Sequence, residues 1–299
     1  MTQQHSDFSE FKTVGLIAKV QHEKATQTLL ALYKFLQQKN ISVIIDQRNT
    51  VDLDLIDIQS DDLVGIGKRC DLAIVIGGDG YMLGAARVLA RFDIAVIGVN
   101  RGNLGFLTDL DPEHFQAPLS EVLKGNYLVE ERFLLTTEVH SHGHLKCRNS
   151  AINEIVLHPD KIAHMIDFEV YVDDDFMLNQ RADGLIISTP TGSTAYSLSG
   201  GGPILTPNID AISLLPMFPQ TLNSRPIVID ANSTIRLKIA ETNKSEMQVS
   251  CDSHVNLSVL PGDEVFIYKT KHTLKLVHPK DYNYFHVLQS KLGWGNKFF

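Results

Sequence analysis

Apolar and polar positions alternate in two different ways along the chain, and the change divides it. Up to about residue 110, short apolar runs alternate with segments of helical period. Residues 11–18 and 41–46 read as the first two strands, 72–76, without interior charge, as a strand buried on both faces of a parallel sheet, and 94–100 as another buried strand. Residues 23–39 carry Leu29, Leu30, Leu32, Tyr33 and Leu36 at helical spacing, and Asn40 marks their end. Residues 81–91 read as a second helix, and a polar, acidic connection joins residue 46 to residue 72. Strand–helix alternation predicts an α/β domain with a parallel, Rossmann-like sheet and sites at the strand C-termini.

From about residue 127 the period falls to two. Short strands are predicted at 133–139, 152–157, 166–172, 184–188, 226–229, 234–239, 246–251 and 264–268. Turn residues such as Asp173-Asp174-Asp175 and Pro261-Gly262-Asp263 lie between them. This pattern predicts an all-β, sandwich-like second domain. Residues 281–292 read as a helix returning to the first domain. The predicted organisation is therefore 1–128 (α/β), 129–275 (β-rich) and a C-terminal segment, 276–299. No fixed-period repeat is evident.

Composition narrows the function. Hydrophobic residues make up 43% and charged residues 21%, the balance of a globular protein. A net charge of −8 gives no counterion-release advantage on DNA or RNA, so nucleic acid is not an expected partner. Cys70, Cys147 and Cys251 are odd in number and far apart, which favours reduced thiols over a disulfide framework. Residues 1–10 are polar, without the apolar core of a signal segment, and no apolar run reaches membrane-spanning length. A cytoplasmic protein without a membrane partner is expected.

The run 71–76 ends in Gly77-Gly78-Asp79-Gly80, followed by helical period with Gly84. A strand passing through glycines into a helix exposes backbone N–H groups and a helix dipole to a phosphate. Yet a dinucleotide fingerprint normally follows the first strand, not the third. The acidic ribose ligand expected ~20 residues on is replaced by Asn100. Asp79 would also face the phosphate. A carboxylate ~4 Å from a phosphate oxygen is repelled by ~1 kcal/mol in water and ~4 kcal/mol at a protein-like dielectric. That penalty disappears if a divalent cation intervenes or if Asp79 takes a proton. The bland alternative is an aspartate capping the helix. No GxxxxGK[ST] sequence and no protein-kinase set occurs.

A second dense stretch, residues 183–203, ends a buried strand in hydroxyls and glycines: Thr189, Thr191, Ser193, Thr194, Ser197 and Ser199, with Tyr196 as an aromatic face. A flexible Ser/Gly loop is the alternative, and no G-x-S-x-G elbow is present. Asn153-Glu154 could bind two ribose hydroxyls or simply begin a strand. Arg181 could pair with Asp183, reach a phosphate or sit in a surface ion pair. His140, His142, His144 and Cys147 read as a hairpin tip rather than metal ligands, and Asp173-Asp174-Asp175 as a turn.

Together these segments resemble the NAD kinases. Gly77-Gly78-Asp79-Gly80, Asn100-Arg101-Gly102-Asn103-Leu104-Gly105-Phe106-Leu107, Asn153-Glu154 and residues 183–203 occur in the family's order and spacing. His278-Pro279-Lys280-Asp281-Tyr282 and Lys291-Leu292-Gly293-Trp294 are similar to its bacterial branch. The resemblance implies transfer of the ATP γ-phosphoryl group to the 2′-hydroxyl of the adenosine ribose of NAD, giving NADP. It implies a divalent metal ion, magnesium by preference, and a homo-oligomer, dimer or tetramer. It makes Asp79 the general base. It assigns NAD contacts to Asp79, Gly80, Phe106, Asn153, Glu154, His164, Arg181, Asp183, Thr194, Ala195, Tyr196, Ser197, Leu198, Ser199 and His254, with Asp183 near the nicotinamide end. ATP phosphates fall to Gly77, Gly78, Asn100, Thr191 and Ser193. Two positions depart from the pattern: Tyr81 stands where Thr is common, and His254 where Gln is common after Cys-Asp-Ser. A lipid or sugar kinase sharing the glycine–aspartate turn, a non-catalytic dinucleotide sensor and an NADP oxidoreductase are the alternatives.

Overall fold

The computed structural model describes residues 11–53, 58–102, 105–161 and 164–294. These divide into two compact units, residues 11–131 with 274–294, and residues 132–273.

The first unit opens with β1 (Thr13–Ala18), α1 (Glu23–Gln38) and β2 (Ser42–Asp46). The His22 ring accepts the Ala25 N–H at the start of α1, which buries Leu29, Leu32 and Leu36. The acidic connection is not irregular. It contains β3 (Gln59–Asp61) and α2 (Leu63–Arg69), started by Asp62, whose side chain accepts the Gly65 N–H. Gly15 of β1 lets α2 dock, since a Cβ there would lie 2.4 Å from Ile66. Next come β4 (Leu72–Gly77), buried at every position, α3 (Asp79–Leu89), β5 (Ala95–Asn100) and α4 (Gln116–Leu123). All sheet pairings between these strands are parallel, in the order β5-β4-β1-β2-β3. Val14, Leu16, Ile74, Ile76, Ile97 and Val99 form the core with α1 and α4.

The second unit holds two antiparallel layers around its own core. In chain order its strands are β6 (Tyr127–Ser141), β7 (His144–Ala151), β8 (Glu154–Pro159), β9 (Ile166–Val172), β10 (Asp175–Ala182) and β11 (Gly184–Ser188). A four-residue helix, α5 (Tyr196–Ser199), precedes β12 (Ala211–Met217), β13 (Ile227–Asp230), β14 (Ile235–Ile239), β15 (Met247–Cys251), β16 (Val255–Val259) and β17 (Glu264–Pro279). One layer runs β13-β12-β11-β8-β15-β16, and β10-β9-β14-β17 belongs to the other. Phe168, Val170 and Leu237 meet Ile155, Ile187 and Val249 between them. The β6–β7 hairpin turns at His142 and Gly143, both at positive φ, so the histidine-rich stretch is a hairpin tip. Asp173 and Asp174 are likewise turn residues at positive φ.

The chain's last elements return to the first unit. Lys275 and Leu276 of β17 pair parallel with β5, and α6 (Tyr284–Leu292) follows, capped by the Asn283 side chain. β17 continues well past residue 268, where its predicted strand stops.

Candidate functional site

In the first unit, β4 delivers its C-terminal glycines to the start of α3. Gly78 precedes the helix and offers no side-chain cap, and Asp79 is the first helical residue. Asp79 does not cap α3. Its Oδ2 accepts the Phe106 N–H at 2.7 Å, its Oδ1 accepts the Leu107 N–H at 3.2 Å, and the Thr108 hydroxyl lies 3.4 Å from Oδ1. The loop after β5 therefore clamps the carboxylate by backbone amides. Gly105 allows this approach: a Cβ there would sit 2.0 Å from Asp79 Oδ1 and 2.4 Å from Thr108 Oγ1. The backbone next to Asp79 is uncrowded, for a Cβ at Gly78 or Gly80 would meet nothing within 4 Å.

The same loop uses its polar groups internally. The Asn100 Oδ1 accepts the Gly102 N–H at 2.9 Å, and Arg101 donates to Thr28 Oγ1 at 2.6 Å and pairs with Glu113 at 3.0 Å. A groove of about 480 Å³ adjoins them, lined by His22, Lys24, Asn100, Arg101 and Thr108 among others. Asn103 and Leu104 lie outside the described residues. Phe106 is half-buried, with Lys291 Nζ 5.3 Å from its ring centre. The Tyr81 hydroxyl donates to the Ala18 carbonyl at 2.6 Å, so it braces β1 instead of replacing a threonine hydroxyl beside the turn.

In the second unit, Asn153 precedes β8 and Glu154 begins it. Sequence reasoning missed the residue that fixes them. Asp252, directly after β15, accepts N–H groups from Ile152 (2.9 Å), Asn153 (2.7 Å) and Glu154 (3.3 Å). No spacing signals this, because the partners are about a hundred residues away in sequence. Glu154 is buried, and burial first, then the negative charge of Asp252, push its carboxyl pKa up to about 8; the Tyr196 N–H works in the opposite direction. Glu154 Oε2 and Asn153 Oδ1 are buried without a hydrogen-bond partner, an arrangement suited to a ligand donor.

The hydroxyl-rich loop turns most of its hydroxyls inward. Thr189 Oγ1 donates to the Ile152 carbonyl at 2.6 Å, Ser193 Oγ to the Pro190 carbonyl at 2.6 Å, and Thr194 Oγ1 to the Thr191 carbonyl at 3.2 Å. Arg132 donates to Thr191 Oγ1 at 3.2 Å, and the Leu205 N–H to Ser193 Oγ at 3.0 Å. A Cβ on Gly192 would lie 2.1 Å from the Asn153 carbonyl, so loop and strand touch there. Ser197 is buried with its Oγ unpartnered. Ala195 and Leu198 are half-buried, whereas Tyr196 and Ser199 are exposed and line a groove of about 430 Å³ with Met217, Phe218 and Arg225.

The remaining expected contacts are dispersed over this unit. His164 is exposed, and Arg181 lies 3.9 Å from Asp167 in an exposed ion pair. Asp183 is half-buried, its N–H bonded to the Met217 carbonyl. The His254 ring is tied to the Asp252 carbonyl.

A parallel α/β unit with a glycine–aspartate turn, joined in one chain to a β-sandwich with unpartnered buried oxygens at Asn153 and Glu154, fits a class of nucleotide-binding phosphotransferases that lack a P-loop. Comparison with known proteins narrows that class. Residues 14–127 match the ATP-NAD kinase N-terminal domain and residues 152–279 the ATP-NAD kinase C-terminal domain. The chain is 61% identical over 289 residues to an NAD kinase of Shewanella halifaxensis, covering 97% of this chain and 93% of that protein. It is 60% identical over 292 residues to an NAD kinase of Aeromonas salmonicida, covering 97% and 99%. Its fold is shared with a yeast NADH kinase solved with NADH (TM-score 0.87, 23% identity, 97% of this chain and 90% of that one). It is shared too with an Archaeoglobus fulgidus NAD kinase solved with ATP (TM-score 0.73, 24% identity, 94% and 98%). The chain belongs to the ATP-NAD kinase family, ATP-dependent enzymes whose reaction is the phosphorylation of NAD to NADP. Among the described residues no helix is long and apolar enough to cross a membrane.

Proposed function

We propose that this enzyme moves the γ-phosphoryl group of ATP to the 2′-hydroxyl of the adenosine ribose of NAD, with Asp79 as general base. The observation that carries the reading is the Asp79 carboxylate, fixed by the Phe106 and Leu107 amides beside open space at Gly78 and Gly80. A ribose hydroxyl is a poor nucleophile, and a positioned carboxylate that receives its proton contributes ~10²–10⁴-fold. The open start of α3 supplies N–H groups and a dipole for the phosphoryl oxygens. Asn153 and Glu154 meet polar groups of the dinucleotide with their unpartnered oxygens. Glu154, protonated below about pH 8, is then a donor as well as an acceptor. Tyr196 offers its ring to a base. Phe106, His164, Arg181, Asp183, residues 194–199 and His254 complete the NAD contacts. Gly77, Gly78, Asn100, Thr191 and Ser193 are assigned to ATP phosphates; the Ser193 hydroxyl and N–H both donate within the loop and must be released for that contact.

A divalent cation belongs to this proposal as a companion of the nucleotide. Among the described residues no group of three His, Cys, Asp or Glu side chains is arranged to hold a metal ion, so the residues present fit an ion held chiefly by phosphate oxygens and water. When bound, the ion neutralises phosphate charge. A homo-oligomer belongs to the same reading: Phe218 and Leu222, 76% and 93% exposed, are apolar side chains that a subunit contact would cover. Sedimentation velocity reads that outcome. Cytoplasmic residence is supported by the three free cysteines.

The test of the base is Asp79→Asn. NAD binding by calorimetry should stay within about threefold of wild type, while NADP formation from NAD and ATP falls ~10²–10⁴-fold. Near-normal turnover would remove the assignment. Magnesium dependence of the wild-type assay reads the cation.

A further inference from the structure

The segment His278-Pro279-Lys280-Asp281-Tyr282 has no part in the reading above. His278, near the end of β17, has a side chain only 1% exposed. Its Nδ1 contacts Asp109 Oδ2. Its Nε2 lies 3.2 Å from Glu130 Oε2. The Tyr282 ring stacks on the imidazole, with centroids 3.9 Å apart and planes 16° from parallel. Three groups thus face the ring: Asp109 from the loop after β5, Glu130 from β6 and Tyr282 from the turn after β17. Burial alone would drive the imidazole neutral. The hydrogen bonds and charges of Asp109 and Glu130 outweigh it and raise the pKa, favouring the cation.

Asp109 sits in a telling place. It follows Thr108, whose hydroxyl approaches Asp79, and Phe106 and Leu107, whose amides hold that carboxylate. On its other side Leu110 is laced to β5: its N–H donates to the Gly98 carbonyl and its carbonyl accepts the Asn100 N–H, both at 3.0 Å. The loop is therefore anchored by backbone at Leu110 and by a side chain from a different strand at Asp109.

We infer that His278 is a positioning residue for phosphoryl transfer: gripping Asp109 against Glu130, it fixes the loop whose amides aim Asp79. The inference rests on the proposed role of Asp79 as base. Without the imidazolium, two half-buried carboxylates, their side chains 11% and 16% exposed, face each other with no cation between them. Asp109 then has nothing gripping it, and the loop loses its side-chain anchor. A displacement of about 1 Å at a reacting group can cost ~10²-fold in rate.

The test uses the full-length enzyme. His278→Gln is expected to lower kcat by ~10–10²-fold and to leave the KM for NAD within about threefold. Glu130→Gln is the second variant, and it decides the matter if His278→Gln does not fold. It keeps the His278–Asp109 contact but removes one charge that holds the ring's proton. Its kcat should fall less than that of His278→Gln, while the alkaline limb of its kcat profile moves to lower pH. Wild-type kcat in folded His278→Gln, or an unmoved limb in Glu130→Gln, overturns the inference. Asp79→Asn assayed alongside keeps the two readings apart. If Asp79→Asn is inactive and His278→Gln is fully active, only the positioning role falls. If Asp79→Asn turns over normally, the base falls, and the positioning role with it.

Discussion

Asp79 and Glu154 are two carboxylates in contrasting surroundings. Asp79 is half-buried, and each of its oxygens accepts a backbone N–H from one loop. Glu154 is buried, faces the negative Asp252, and leaves Oε2 without a partner. The first environment aims a carboxylate; the second favours a neutral acid. Environment, not residue type, separates a proton acceptor from a hydrogen-bonding ligand holder. The two units deal with glycine and hydroxyl groups just as differently. Gly78 and Gly80 leave space open, whereas the hydroxyls of Thr189, Ser193 and Thr194 are spent on carbonyls of Ile152 and of the loop itself.

The largest effect that would break this contrast comes from Gly105→Ala. The added methyl would lie 2.0 Å from Asp79 Oδ1, so either the carboxylate or the loop must move. Turnover should fall by ~10²-fold or more with NAD affinity nearly unchanged, read by steady-state assay and calorimetry. Next is Glu154→Gln, which imitates the protonated acid. Glu154 ionises near pH 4.5 when exposed and near 8 in the folded chain. Between those values the folded state binds the extra proton, so stability declines as pH rises from about 4.5 to 8. The variant should lose that decline. It should match wild type at pH 5 and exceed it by about 1–3 kcal/mol above pH 8, measured by urea denaturation. An identical pH slope in both proteins would contradict a neutral Glu154. The smallest effects come from the loop: Ser193→Ala should cost about 1–3 kcal/mol of stability and leave the KM for NAD alone. Tyr196→Ala should do the reverse, raising that KM while shifting stability by less than about 0.5 kcal/mol.

Strands buried at every position, such as β4 and β11, were plain in the sequence because no charge interrupts them. α2 was not. It is seven residues long with two glycines, and forms because Asp62 caps it and Ile66 fits against Gly15. The strand predicted at 264–268 stops short of β17 because Lys269, Thr270, Lys271 and His272 are polar, yet they lie within one continuous strand. Exposed β7 was hidden for the same reason. At the site, Asp79 was legible because a charge among glycines has few structural uses. Asp252 was not, since its role exists only through amides contributed by a distant strand. Ser193 and Thr189 pointed the wrong way for a residue-type argument: composition cannot tell a hydroxyl aimed at a phosphate from one aimed at a carbonyl.

The central claim is that Gly105 and the loop amides act on catalysis only through Asp79. The most direct test is a double-mutant cycle in kcat between Gly105→Ala and Asp79→Asn. The account predicts that Gly105→Ala, damaging in the wild-type background, costs less than about twofold once Asp79 is asparagine. Full additivity of the two losses would contradict it.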